Sequence, residues 1–213
     1  VALVDTGVNF AHPHLRLTGE AWSVVWADGA LEVRPGEAAD HFGHGTCCAA
    51  LLHGLAPEAA LVAIRVTAER PTTDADRIAA GIALAVQAGA KVVAVPLGAR
   101  TLLRGGLDAA VDAAVRAGAL VVAADPEVGE PVLPAACPGA WAARLRDGVD
   151  VAGDPPVLYA DGRARGAPGH ARNFWGPSLA CARIAAAVAR ALEVYGPEGL
   201  SPAEALSKAL VVR

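Results

Sequence analysis

A chain of 213 residues is long enough to bury one substantial core, which points to a single domain over 1–213. Hydrophobic residues make up 54 %, aromatics only 4 %, and the formal net charge is −4 with no cluster of lysine or arginine. That balance excludes the basic footprint of a nucleic-acid binder, and no apolar run approaches the roughly 20 residues that span a bilayer.

Val1–Val4 is a continuous apolar run closed by Asp5. This is the pattern of a buried parallel strand with a polar residue at its carboxyl end, and Gly7 permits the turn out. Residues 9–20 read as a polar loop, 21–33 as short strands near Val24–Trp26 and Ala30–Val33, and 34–43 as a second loop. A helix is expected over His44–His53 with Gly54 at its end, then a strand over Leu61–Val66. Thr73 is placed to cap a helix through Gln87, with Asp74 and Asp76 in the first turn, where the dipole favours negative charge. Val92–Val95 reads as a strand, Gly106–Arg116 as a helix ended by Gly118, and Ala119–Ala123 as a strand.

Residues 125–148 hold four prolines and three glycines and read as loop. Val149–Val151 and Val157–Tyr159 are candidate hairpin strands, and 160–177 is a loop rich in glycine and arginine. Ser178–Tyr195 reads as a helix stopped at Gly196-Pro197. Ser201-Pro202-Ala203-Glu204 starts another, with Ser201 capping, Pro202 at the first position and Glu204 closing a capping box. Short apolar strands alternating with amphipathic helices predict an α/β domain: a doubly wound, mostly parallel sheet with helices on both faces. Reactive residues of such sheets gather at the carboxyl ends of strands, where Asp5, Pro96-Leu97-Gly98 and Asp125–Glu127 fall.

Three segments form a reactive set: Asp5-Thr6-Gly7, His44-Gly45-Thr46 and Gly176-Pro177-Ser178-Leu179-Ala180. A serine hydroxyl is a poor nucleophile at neutral pH. It needs an imidazole to take its proton, and the imidazole needs a carboxylate to hold its tautomer. Asp5 as a mere turn residue, His44 as a core residue and Ser178 as a helix cap are each credible alone; their joint agreement in context weighs against that reading. His12, His14, His41, His53 and His170 read as surface or loop residues. His41 and His44 lie three apart but lack an obvious third ligand, so no metal is expected.

With these residues in the order Asp, His, Ser, the chain resembles the subtilisin-like serine peptidases over nearly its whole length. Val1–Val8 is similar to the family's aspartate strand and His12-Pro13-His14-Leu15 to its His-Pro-Asp-Leu segment. Gly43-His44-Gly45-Thr46 is similar to the histidine motif, followed by Gly54-Leu55-Ala56-Pro57, and Pro134–Gly139 to a segment between the oxyanion residue and the serine. The resemblance implies a subtilisin-like fold and serine endopeptidase activity. It assigns Asp5, His44 and Ser178 as catalytic, Pro96, Leu97 and Gly98 as lining the specificity pocket, and a peptide or protein as substrate, with no cofactor; beside that, Phe174 and Trp175 are expected to line the substrate cleft with Leu97. Calcium stabilises many members, but the acidic residues here are scattered.

The chain departs from the family in several places. Pro177 stands where threonine usually precedes the serine, Ala182 replaces a proline, and Pro96-Leu97-Gly98 replaces Ser-Leu-Gly. The oxyanion asparagine has no counterpart: ungapped counting from Gly118 puts Glu127 there, and a small gap puts Asp125 nearby. An ionised carboxylate would repel the oxyanion, and losing one donor costs about 10²–10³ in kcat, a figure measured in subtilisin itself. The expectation is narrow specificity or reduced turnover, with a dedicated peptide precursor as substrate. Two alternatives stay open: a catalytically impaired module gripping an extended peptide by strand addition, and an acyl-transfer enzyme reusing the same serine.

Cys47, Cys48, Cys137 and Cys181 match neither a disulfide framework nor a zinc spacing, so buried reduced thiols are expected, with Cys48 and Cys181 close to His44 and Ser178. Free thiols and the lack of a signal peptide lead to the expectation of a cytoplasmic protein with no membrane partner. The chain opens on Val1 in a strand pattern and has no methionine, so the native start is expected upstream.

Overall fold

The computed structural model describes residues 1–213 apart from 14, 16–17, 69, 101–103, 165–173, 197–198 and 212–213. Its strands are β1 (Ala2–Asp5), β2 (Glu20–Ala27), β3 (Ala30–Pro35), β4 (Val62–Arg65), β5 (Val92–Val95), β6 (Leu120–Ala124), β7 (Trp141–Leu145), β8 (Ala152–Asp154) and β9 (Val157–Ala160). Its helices are α1 (His44–Leu55), α2 (Ala75–Gln87), α3 (Gly105–Arg116), α4 (Pro177–Tyr195) and α5 (Pro202–Val211).

The strands form one sheet in the order β3-β2-β4-β1-β5-β6-β7-β9-β8. All neighbours pair in parallel except the two edge strands, β3 on β2 and β8 on β9, which are antiparallel. The short apolar runs become central strands because both faces are covered. Alternation sends Leu3, Ala63, Val92, Ala94, Leu120 and Val122 into one core with α1, α4 and α5. Ala2, Val4, Ile64, Val93, Val95, Val121 and Ala123 enter a second core with α2 and α3. Each fully buried Leu, Ile or Val stabilises by about 1.5–3 kcal/mol, and these two layers define the predicted doubly wound arrangement. Among the described residues, no helix is long and apolar enough to cross a membrane.

The structure corrects several expectations. Residues 125–148 are not all loop: Trp141–Leu145 is β7, parallel to both β6 and β9. Its Trp-Ala-Ala-Arg-Leu sequence lacks a β-branched residue, and its flanking strands supply the order that propensity does not. β2 starts at Glu20, inside the expected loop, and β8 lies at 152–154 instead of 149–151. α2 is capped by Asp74, whose carboxylate accepts from Arg77 N, while Thr73 Oγ1 donates to Val66 O at 2.6 Å. α1 continues past Gly54 to Leu55, so His53 is helical and only partly exposed. The capping box of α5 forms as expected: Ser201 N donates to Glu204 Oε2 at 2.8 Å, and Glu204 N donates to Ser201 Oγ at 3.4 Å. His14, His170 and Pro197 lie outside the described residues.

Candidate active site

Asp5 shares its face of β1 with Leu3, the face covered by α1 and α4. The first turns of these helices converge on it. His44 opens α1, and its Nδ1 lies 2.8 Å from Asp5 Oδ1 and 3.0 Å from Oδ2. Thr6 N donates to Asp5 Oδ1 at 2.6 Å. The Asp5 side chain is fully buried, whereas the His44 side chain is 22 % exposed. With Nδ1 held by the carboxylate, Nε2 is the nitrogen left for chemistry. The close approach of α1 to β1 depends on Gly45, where a Cβ would collide with the backbone oxygen of Gly7.

Ser178 is the second residue of α4, behind Pro177 and the cap residue Gly176, whose φ of 144° is open to glycine. At that position its N–H has no partner within the helix and sits at the positive end of the dipole. Asp5, His44 and Ser178 line one cleft of about 910 Å³ with Pro96, Leu97, Gly98 and Phe174. Ser178 and His44 share it without a hydrogen bond between them among the described residues. The Phe174 ring stands edge-on to the imidazole, centroids 5.4 Å apart at 89°. Thr67, 2 % exposed, also lines this cleft, with Oγ1 buried and unpartnered.

Burial works against a charged His44, but the charge and hydrogen bond of Asp5, with the charge of Asp40, outweigh it and raise its pKa above the ordinary 6.5. Ligand atoms of Asp5, His44 and Cys48 lie within 4.8 Å of one another. The Asp5 carboxylate is already committed to His44 and the Thr6 N–H. Burial, then the nearby charge of Asp5, pushes the Cys48 thiol well up, so it stays protonated instead of offering a thiolate. The cluster is therefore a carboxylate–imidazole pair backed by a neutral thiol. Cys48, Cys137 and Cys181 are buried and Cys47 half-buried, all unbridged; burial and then Asp108 push Cys137 to about 12.

Asp125, Glu127 and Trp175 do not join this cleft. Arg144, on the unforeseen β7, bonds Asp125 Oδ2 through Nε at 2.8 Å and lies 3.5 Å from Glu127 Oε1 through Nη1. The Asp125 Oδ1 accepts from Glu127 N at 3.0 Å, and Glu127 takes a φ of 65°. Both acids line a separate cavity of about 500 Å³. The expected repulsive carboxylate is thus turned onto a guanidinium. Trp175 is 61 % exposed and bridges Arg163 antiparallel. Residues that motif reading passed over are Asp40 and Thr67; an acid four residues before the histidine, ahead of free helix-start N–H groups, was the available signal for the first.

The profile of the Subtilase family matches residues 1–142, two thirds of the chain. Thermitase of Thermoactinomyces vulgaris is 35 % identical over 136 residues, covering 58 % of this chain and 46 % of that protein. The chain thus spans about half the length of that curated relative. Among solved structures, the prenylagaramide maturation protease PagA superposes with a TM-score of 0.73 at 19 % identity, over 96 % of this chain and 78 % of that one. The nisin leader peptidase NisP from Lactococcus lactis superposes with a TM-score of 0.74 at 19 % identity, over 97 % and 80 %. Likeness at that identity speaks for the fold, and the family match speaks for descent: with its Asp-His-Ser order set on this sheet, the chain belongs to the subtilase family.

Proposed function

We propose that this subtilase is a serine endopeptidase of narrow specificity, with Ser178 as nucleophile, His44 as general base and acid, and Asp5 as orienting carboxylate. The observation carrying this reading is the 2.8 Å contact of His44 Nδ1 with buried Asp5 in the cleft that Ser178 also lines. Ser178 Oγ attacks the peptide carbonyl carbon while His44 Nε2 takes its proton. The C–N bond then breaks, the amine leaves with that proton, and water deacylates the enzyme by the reverse transfer. The oxyanion faces the Ser178 N–H and the positive end of α4.

The substrate runs extended along Pro96-Leu97-Gly98, just beyond β5. The next residue, Ala99, is already paired with Leu133 in both directions. Asp125 and Glu127 provide no amide donor, which supports slow turnover of generic peptides and a dedicated precursor as the substrate. PagA and NisP, described as a maturation protease and a leader peptidase, keep that reading company on the same fold.

A fluorophosphonate probe tests the assignment. Labelling at Ser178 is expected, with loss to background in Ser178→Ala and His44→Ala. Absence of labelling from pH 5 to 9 in a folded protein would refute the nucleophile and favour a peptide-binding module. Cleavage of generic peptides as fast as of candidate precursors would refute narrow specificity.

A further inference from the structure

Asp40 belongs to none of the three reactive motifs, yet its carboxylate accepts five hydrogen bonds. Oδ1 takes Thr6 Oγ1 at 2.9 Å, Phe42 N at 3.0 Å and Gly43 N at 2.8 Å. Oδ2 takes Thr46 N at 2.8 Å and Thr46 Oγ1 at 2.6 Å. The donors come from both sides of the Asp5–His44 pair: Thr6 follows Asp5, and the others flank His44. Two further bonds close the frame, Gly45 N to Thr6 Oγ1 at 2.9 Å and Asn9 N to Thr46 Oγ1 at 3.0 Å.

The residue at the cap position of α1 is Gly43, which has no side chain to cap the helix. Asp40 performs that task from outside and brings a negative charge to the positive helix end, one turn from the imidazole. An amide could not replace it. Its NH₂ group would face the Thr46 N–H and hydroxyl, or the three donors on Oδ1.

We propose that Asp40 is a positioning residue: it locks Asp5 and His44 into one frame and, as a second anion beside the imidazole, favours the imidazolium formed when Ser178 gives up its proton. Its catalytic consequence rests on the peptidase reading; its effect on His44 does not. Burial raises the Asp40 pKa, but the bonds from Thr46, Phe42 and Thr6 outweigh that and lower it, so the group is ionised throughout the working range. Among the described residues, the other titratable groups about this frame are Asp5 from β1, which faces His44, and Cys47 and Cys48 from α1. α4 presents the neutral Ser178 hydroxyl, Phe174 presents only carbon, and Asp74, Asp76 and Arg100 stand elsewhere on the cleft wall.

The test compares wild type with Asp40→Asn by NMR titration of the His44 ring and by the pH profile of fluorophosphonate labelling. In the variant, both midpoints should fall by about half a pH unit or more, and labelling at pH 7 should slow at least about tenfold. A purely structural role would slow labelling without moving the midpoint. A His44 midpoint unmoved in folded Asp40→Asn overturns the proposal. A midpoint that falls in a protein whose serine never labels upholds the effect on His44 and sinks the peptidase reading instead. If Asp40→Asn does not fold, Thr46→Val removes the 2.6 Å donor. The downfield His44 Nδ1 proton should then broaden, and an unchanged signal overturns the frame.

Discussion

Asp5 ends β1 and Asp125 directly follows β6 of the same sheet, and the two meet opposite fates. Asp5 is fully buried and faces an imidazole; Asp125, its side chain 19 % exposed, faces Arg144. The guanidinium stays charged at every working pH, so the pair at β6 is a fixed salt bridge. An imidazole, unlike a guanidinium, can give up its proton, and Asp5 raises the pKa of this one, so the pair at β1 is titratable. Identical acids at equivalent edges therefore form a titratable pair or a fixed one according to the cation opposite and the water excluded.

Substitutions at the two corners should break this contrast unequally. Asp5→Asn should slow labelling of Ser178 by about 10⁴-fold, because the amide no longer enforces the Nδ1–H tautomer; a loss under tenfold would contradict the assigned role. The pH profile follows. Since His44's pKa is raised, its base form is lost on acidification, and the acid limb should have its midpoint above about 6.5. The stability that this raised pKa contributes is present at low pH and lost as pH rises through it. A profile midpoint below 6 would break the account.

Backbone tolerance should differ too. Gly45→Ala drives a methyl into the Gly7 backbone and should cost about 2–3 kcal/mol, or roughly 5–10 °C in Tm. Gly129→Ala, at φ 82° beside the other corner with no backbone in the way, should cost about 1 kcal/mol. Equal shifts in Tm would remove the distinction. The smallest effect belongs to Glu127→Asn: its carboxylate, 47 % exposed, already faces Arg144, so labelling at pH 7 should change less than about threefold. A large rise would show that this charge does oppose the oxyanion.

The titratable corner was legible in sequence because its parts are local. An apolar run ends in Asp5, a glycine precedes His44, and a helix pattern starts at Ser178. The fixed corner was not, because it depends on β7. Trp141–Leu145 follows four prolines within a loop-like stretch and becomes a strand only between β6 and β9, which brings Arg144 to Glu127. Counting positions placed Glu127 without knowing its partner. Asp40 was hidden for a similar reason: its donors come from a segment 34 residues earlier and another up to six residues later, and only the fold joins them. The capping acid of α2 was missed by one position, since Thr73 and Asp74 are equally suited by type and only Asp74 meets Arg77 N.

α4 carries Ser178 at one end, and its length lies against α1, α5 and strands β5, β6, β7 and β9. A helix so enclosed cannot loosen by itself; freeing it means prising the sheet from its covering layer. Backbone deuterium uptake along 180–190 should accordingly be among the slowest in the molecule, and on warming Ser178 should keep its place until the packing around α4 gives way at once.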